Sequence, residues 1–296
     1  MQSKRNTATR NITEQGFILV SVIWIAGLLA VMATAFTIGI RSYTLVGRNA
    51  ILGERAEAIA DGMALLWALR LSSFDVTGNP QVVSSKPSTC RWSSVATAII
   101  TIQDQGGLVD LNTASPPLLD KMLEDLGLSL SESQSFQAAL RDFRDPDHIA
   151  ETTGEEAEAY PGKGFGPKNA PFSIPEELHQ IPGVTEEQRG RLLRLTTVFS
   201  QQTGIDPARA PEELRRVLGI SDASNPDNIA FASPSPQRVF AIEAAVELGD
   251  GSRFVRRALI ALLRQPERPF AILSWQHGTG TGQPLPSAAP LQPCLN

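Results

Sequence analysis

Seven carboxylates crowd residues 142–158: Asp142, Asp145, Asp147, Glu151, Glu155, Glu156 and Glu158, set against only Arg144 and His148. Carboxylates gathered on a loop can converge on Ca²⁺, which takes about six to eight oxygen ligands. The spacing is not that of an EF-hand loop, and a solvated acidic loop has the same composition. Other chemistry is sparse. His148, His179 and His277 stand in unlike settings with no nucleophile signature beside them. The Gly-rich run Gly278–Gly282 follows a strand pattern and opens no helix, so it does not read as a phosphate loop. Cys90 and Cys294 lack metal-ligand spacing; a bridge between them and two separate thiols are both open readings. No enzymatic constellation emerges, and the chain reads as a non-enzyme.

The strongest processing signal is Gln15-Gly16-Phe17. It opens a stretch of 24 residues without a charge, Phe17–Ile40, preceded by Lys4, Arg5 and Arg10 and closed by Arg41. A run of that length spans a hydrocarbon core of about 30 Å at about 1.5 Å per residue. A short basic leader ending at a single Gly predicts cleavage between Gly16 and Phe17, at the polar edge of the apolar run. A secretory signal is cut after its apolar part instead. Ala33-Thr34-Ala35 offers such a site, and a mature chain starting at Phe36 would fit a secreted enzyme. The basic residues ahead of the run predict a cytoplasmic leader and a bulk on the far side. In a Gram-negative cell that side is the periplasm, where a disulfide is permitted. A net charge of −5 and a pI near 5.4 argue against a global basic field for nucleic acid or anionic lipid.

The elements that must position these residues follow from period and punctuation. Helical pattern continues past the membrane run, with Leu45, Leu52, Ile59 and Leu66 recurring every seven residues and Met63 and Leu69 near the same face. A helix from Phe17 to about Leu71 would be about 80 Å long. Residues 72–90 read as loop with a short strand at Gln81–Val83, Ser94–Gln103 as strand, and Leu108–Leu111 as strand again after Gln105-Gly106-Gly107. Helices are expected at 116–126, 131–144, 174–181, 185–199 and 211–218. Arg238–Leu248 and Ser252–Leu263 flank Gly249-Asp250-Gly251, a hairpin signal, and Phe270–Trp275 makes a third strand. Strands on both sides of a helical block predict an α+β domain with a helical domain inserted in it.

Gly16-Phe17-Ile18-Leu19-Val20-Ser21 resembles the N-terminus of type IV pilins and type II secretion pseudopilins. The resemblance implies a dedicated prepilin peptidase that cuts after Gly16 and N-methylates Phe17. Most members carry Glu at the fifth mature position; this chain has Ser21. A carboxylate in lipid is costly unless paired, and in those filaments it is thought to pair with a neighbour's terminal amine. A subunit with Ser21 cannot neutralise a neighbour's amine but can present its own to a subunit that has Glu, which fits a filament end.

Further segments resemble the minor pseudopilin K family of the type II secretion system. They are Gly106-Gly107-Leu108-Val109-Asp110-Leu111-Asn112-Thr113-Ala114, Arg141-Asp142-Phe143-Arg144-Asp145-Pro146-Asp147, Lys168-Asn169-Ala170-Pro171-Phe172-Ser173, Glu176–Thr185 and Ile272-Leu273-Ser274-Trp275. The resemblance implies a pilin-like α+β fold, a long N-terminal helix packed on an antiparallel sheet, with a large all-helical domain of helix-hairpin (SAM-like) type inserted. The expected divisions are a leader over 1–16 and a transmembrane part of the helix over 17–40. The rest of the helix and the first part of the sheet domain take 41–110. The insertion takes 111–219, the closing strands 220–276 and a disordered tail 277–296. It implies a tip complex with minor pseudopilins I and J, contact with the other minor and major pseudopilins, and no nucleic acid. Family members are associated with calcium at the acidic stretch, which implies Asp142, Asp145, Asp147 and Glu156 as ligands and no required cofactor. Glu155 stands where a small residue is more usual, so the choice between Glu155 and Glu156 stays open.

A competing class is a DNA-binding helix-hairpin-helix protein of a competence or type IV pilus system. Leu111–Ser115 and Leu178–Val184 look like pieces of such modules, where a Gly-rich turn offers backbone N–H groups to phosphate. Thr185 stands where a second Gly is expected, and residues 110–219 carry 19 acidic against 11 basic residues, a net charge of −8. Phosphate binding wants the opposite sign. The expectation is therefore a single-pass inner-membrane subunit with its bulk in the periplasm, initiating or capping a pseudopilus that serves protein export.

Overall fold

A computed structural model describes residues 8–73, 83, 85–147, 166–221, 229–278 and 293–294. The first helix, α1, runs Ala8–Ser72. The chain divides into two units, Met1–Arg55 and Ala56–Asn296. In the first, α1 is solvent-facing all round: Phe17 is 75% exposed and Trp24 77%. Its most apolar window has a mean hydropathy of 2.5 and no buried residue. A helix satisfies its own backbone, which is what allows an apolar segment to enter lipid.

In the second unit five strands form one antiparallel sheet in the order β1-β2-β5-β6-β7. They are β1 (Ser88–Ser93), β2 (Ala96–Asp104), β5 (Val239–Leu248), β6 (Arg253–Gln265) and β7 (Arg268–His277). Strand β2 pairs directly with β5 although more than a hundred residues lie between them, so the helical block is an excursion from one sheet. Period-two alternation puts Ala98, Ile100 and Ile102 of β2, Phe240, Ile242, Ala244 and Val246 of β5, and Ala258, Ile260 and Leu262 of β6 on one buried face. Arg256 projects from the same face to Glu57 and Asp61 of α1, so this is the side that meets the helix.

The helix meets it with a different stripe from the one its leucines predict. The buried residues are Ala56, Ala60, Met63, Ala64, Ala68 and Leu71, while Ile59 and Leu66 are half-buried and Leu69 is exposed. Alanines let the helix axis approach the pleated surface closely, which the larger stripe could not do. The heptad pattern marked bulk and missed fit.

The inserted block has its own core, built from Val109, Leu111, Leu118, Leu123, Phe136, Phe143, Phe172, Leu178, Leu192 and their neighbours. Its helices are α2 (Pro116–Asp125), α3 (Leu130–Arg144), α4 (Glu186–Leu195) and α5 (Glu212–Val217), with a 3-10 segment at Pro175–Gln180. Capping boxes at Ser129/Glu132 and Thr185/Gln188 start α3 and α4. The block is not all-helical. Val109–Asp110 (β3) pairs in parallel with Thr196–Thr197 (β4), which stops α4 four residues short of the expected 199.

Two further expectations change. Residues 88–90 belong to β1 rather than to a loop: a polar edge strand has half its hydrogen-bonding capacity open to solvent and needs few apolar residues. The tail expected from 277 is not wholly tail. His277 closes β7 and packs its ring, tilted, on Phe254 with centroids 4.5 Å apart, and Pro293 pairs with Arg91 beside a Cys90–Cys294 disulfide. Gln81 and Gln292 are among residues outside the described ones; Val83, at the expected short strand, is buried and accepts from the Asp104 N–H at 3.0 Å.

Candidate functional site

The segments singled out in the sequence meet inside the inserted block. Asp110, wholly buried, accepts at Oδ1 from the Asn112 N–H (2.8 Å), and at Oδ2 from the Gln201 N–H (2.8 Å) and the Ser200 hydroxyl (3.1 Å). Asn112 in turn clamps the backbone of Phe172, donating to its carbonyl at 3.0 Å and accepting from its N–H at 2.8 Å. Phe172 stacks on Phe143 with ring centroids 4.9 Å apart. Thr113 donates to the Gln202 carbonyl at 2.7 Å, and the Arg144 guanidinium donates to the Leu111 carbonyl. Burial holds the Arg144 pKa below the usual guanidinium range, with Arg141 adding to the effect. Lys168 closes the loop before Phe172 by reaching Glu177 at 2.8 Å and the Pro171 carbonyl at 2.9 Å. These residues do structural work for one another; no group among them is poised for proton or group transfer.

A second cluster joins the block to the sheet. Asp104, at the end of β2, accepts at Oδ1 from the Gly106 N–H and the Ser235 hydroxyl, each at 2.9 Å, and its Oδ2 lies 3.4 Å from Arg209 Nε. Arg209 also pairs with Asp206 at 3.1 Å, and Asp206 accepts from the Ser235 N–H at 3.0 Å. Burial pushes the Asp104 carboxyl above its ordinary value, opposed by the Gly106 and Ser235 hydrogen bonds and by Arg209. The chain passes so closely here that a Cβ on Gly107 would fall 2.3 Å from the Arg209 carbonyl oxygen.

The acidic stretch begins at the end of α3. Asp142 is fully buried on the last turn, Asp145 is the C-cap and donates its N–H to the Arg141 carbonyl at 2.9 Å, and Asp147 is exposed two residues on. Glu156, with Glu151, Glu155, Glu158 and His148, lies outside the described residues. Among the described residues no three His, Cys, Asp or Glu side chains gather as a metal site. The donor set of Asp142, Asp145 and Asp147 is all carboxylate, which suits a hard cation such as Ca²⁺.

At the other end of the chain Gly16 and Phe17 lie within α1. The Ser21 hydroxyl donates to the Phe17 carbonyl at 2.9 Å. That back-bond satisfies the hydroxyl inside the helix, so Ser21 can enter lipid without a partner from another chain.

Residues 100–201 match the family described as type II secretion system (T2SS), protein K. Among solved structures it is similar to the crystal structure of the GspK-GspI-GspJ complex from the enterotoxigenic Escherichia coli type 2 secretion system. The TM-score is 0.55 at 15% identity, over 81% of this chain and 99% of that one. A search of curated proteins finds no match. The likeness carries the pilin-like α+β fold, and among the described residues one helix is long and apolar enough to cross a membrane.

In this chain the hairpin turn is turned inward. Gly183 supplies the left-handed backbone (φ +90°) between the 3-10 segment and α4, and the Arg189 guanidinium gathers the carbonyls of Leu178, Ile181 (2.9 Å) and Val184 (3.1 Å). Glu186 and Glu187 occupy the first turn of α4, where a phosphate would sit. Arg256, Asp104 and Arg209 were not singled out in the sequence. Arg256 had a readable signal: it interrupts the buried-face alternation of β6 with a charge, and such a charge needs a partner across the interface.

Proposed function

We propose that this chain is a minor pseudopilin at the tip of a type II secretion pseudopilus, processed between Gly16 and Phe17, N-methylated at Phe17, and assembled with minor pseudopilins I and J. Before assembly the helix 17–40 holds it in the inner membrane, with the second unit in the periplasm. Its role is to initiate or cap the filament for protein export and is not enzymatic. The observation that carries this reading is Ser21 at the fifth position of an otherwise bare apolar helix, in a chain whose residues 100–201 match protein K. The chain can offer a terminal amine downward and has no acid to receive one from above. Bulk from the inserted block supports the same end position. A subunit much wider than its neighbours fits where nothing stacks beyond it.

Exposed Leu65 and Leu69 on α1 supply an apolar face one turn long, suited to a neighbouring helix. The printed partners of the similar complex, GspI and GspJ, are the first candidates. The test is co-purification in detergent of the full chain with its own I- and J-type pseudopilins, followed by mass spectrometry of the chain. A ternary complex whose K subunit begins at methylated Phe17 is expected. A chain that keeps residues 1–16, or that begins at Phe36, or that ignores both partners, refutes the reading.

Calcium belongs to the same proposal. Asp142, Asp145, Asp147 and Glu156 would ligate it, the buried Asp142 and the helix-capping Asp145 holding the edge of the acidic stretch, with no chemistry beyond charge neutralisation. A Ca²⁺-dependent rise in Tm that is lost in Asp145→Ala is expected; no rise in the unaltered chain would remove the site.

A further inference from the structure

On the sheet face away from α1, a cleft of about 480 Å³ opens where strand ends meet the inserted block. Val239 and Ala261 stand opposite each other in register and alternate with the buried Phe240 and Ile260, so they line that far face. Leu263 and Leu273 extend the apolar floor and remain 37% and 48% exposed. Val198 and Phe199, just after β4, line the cleft from the block. The volume falls in the range of about 300–1,000 Å³ that ligand sites occupy. Two polar side chains of the lining are left over by the fold. Arg238 is exposed, and among the described residues its guanidinium has no hydrogen bond or ion pair. Gln201 is exposed too, its carboxamide equally unpartnered among the described residues. Both sit at uncommon backbone: Gln201 itself (φ +57°) and Gln237 (φ +51°), next to Arg238, are left-handed. The Gln237 turn is held by its N–H donating to Ser235 Oγ at 3.0 Å. The one carboxylate of the lining, Asp104, is buried and engaged by Gly106, Ser235 and Arg209. The exposed charge of the cleft is therefore positive, in a chain whose net charge is −5.

We propose that this cleft docks an extended acidic peptide segment of a partner protein, with a large apolar side chain on Leu263 and Leu273 and an adjoining carboxylate on Arg238. Each part of the cleft selects part of that occupant. An exposed guanidinium presents a planar fork of N–H donors that matches a carboxylate. A carboxamide carries donor and acceptor together, the complement of a peptide group, so Gln201 holds the main chain beside the anchored side chains. Covering Leu263 and Leu273 removes apolar surface that solvent now reaches. An anionic lipid headgroup would serve Arg238 but leave Gln201 without its match. Because α1 packs on the opposite face of the sheet, this docking leaves Leu65 and Leu69 free and stands independently of the proposed pseudopilus role.

The test titrates the full chain in detergent micelles with the dansylated peptide Gly-Ser-Phe-Leu-Glu-Ser-amide, read by fluorescence anisotropy against micelles alone. Saturable binding below about 1 mM is expected. A peptide with Gln in place of Glu should bind at least about fivefold more weakly, and so should the original peptide to Arg238→Glu. A peptide with Lys in place of Glu should regain affinity on Arg238→Glu. Leu273→Ser should weaken the original peptide with Tm unchanged, since that side chain is half exposed. Should Arg238→Glu lower Tm, the comparison of Glu and Gln peptides on the unaltered chain decides alone. Absence of saturable binding overturns the site. Equal affinity of the Glu and Gln peptides overturns the carboxylate anchor, and binding untouched by both variants overturns the location. Full displacement of the peptide by phosphatidylglycerol doped into the micelles would assign the cleft to a lipid headgroup. Self-association lost in the same variants and not competed by the peptide would assign it to a second copy. Either assignment overturns peptide docking.

Discussion

At the scale of single residues, buried charges decide more than the acidic cluster that dominates the sequence. Arg256 is held between Glu57 at 2.7 Å and Asp61 at 2.5 Å, with Phe254 and Trp275 against its guanidinium at 5.0 and 5.2 Å. Charged hydrogen bonds of this kind contribute about 1.5–3 kcal/mol. Arg256→Ala is expected to cost about 2 kcal/mol in denaturant unfolding. Arg256→Lys should recover less than half of that, because a point charge cannot serve both carboxylates and stack on two rings. Equal stability of the lysine variant and the unaltered chain would refute that account. Asp104 makes a pH prediction. Burial raises its folded pKa above the ordinary carboxylate value. Folding therefore favours the protonated form. That contribution is fully present below the unfolded pKa and is lost as pH rises through the folded one. Denaturant midpoints of Asp104→Asn should lack this dependence, so the unaltered chain gains on the variant as pH falls through that window. Parallel midpoint curves across the acid range would refute the assignment. The Arg256 interruption was visible in the sequence as a charge among Phe254, Val255, Ala258 and Ile260. Asp104 was not, since an Asp ending a strand before Gln-Gly-Gly is ordinary turn chemistry.

Among the elements, the chain passes very closely at the Gly106–Gly107 crossing between sheet and block. A methyl group on Gly107 meets backbone, which cannot swing aside, whereas one on Gly106 meets the Ser235 side chain. Gly107→Ala is expected to lose about 1–3 kcal/mol, read as a fall in Tm, by forced separation of packed backbone. Gly106→Ala should lose less when combined with Ser235→Ala than alone, although the Ser235 hydroxyl bond to Asp104 goes with it. On α1 the expected outcome is the reverse. Leu65 and Leu69 are 39% and 53% exposed, so replacing both with Ala should leave Tm nearly unchanged, within about 0.5 kcal/mol per site. Capture of I- and J-type partners should weaken by at least about tenfold, as measured by co-purification yield against partner concentration. A large fall in Tm with capture intact would show the leucines to be core after all.

For the whole molecule, the sequence by itself determined the elements whose signals are local. The charge-free run from Phe17 to Ile40, the strands flanking Gly249-Asp250-Gly251 and the helices starting at Ser129 and Thr185 are written in hydropathy, period and capping chemistry. Each depends on backbone geometry and solvent within a few residues, and each stands within a few residues of where it was expected. The family segments were legible for a related reason: Asp110, Asn112, Phe143, Lys168 and Phe172 are types that a dense polar and aromatic junction requires, and they do meet. Tertiary structure alone decided the rest. It turned α1 so that Ala56, Ala60, Ala64 and Ala68 face the sheet, because close approach rewards small side chains that carry almost no periodic signal. It made a strand of Ser88–Ser93 by pairing it with β2, and cut α4 short to pair Thr196–Thr197 with Val109–Asp110. It joined Cys90 to Cys294 across a separation of 204 residues, and Arg256 to Glu57 across nearly as many. Contacts at that range depend on where the folded chain brings two surfaces together, and no local preference encodes it.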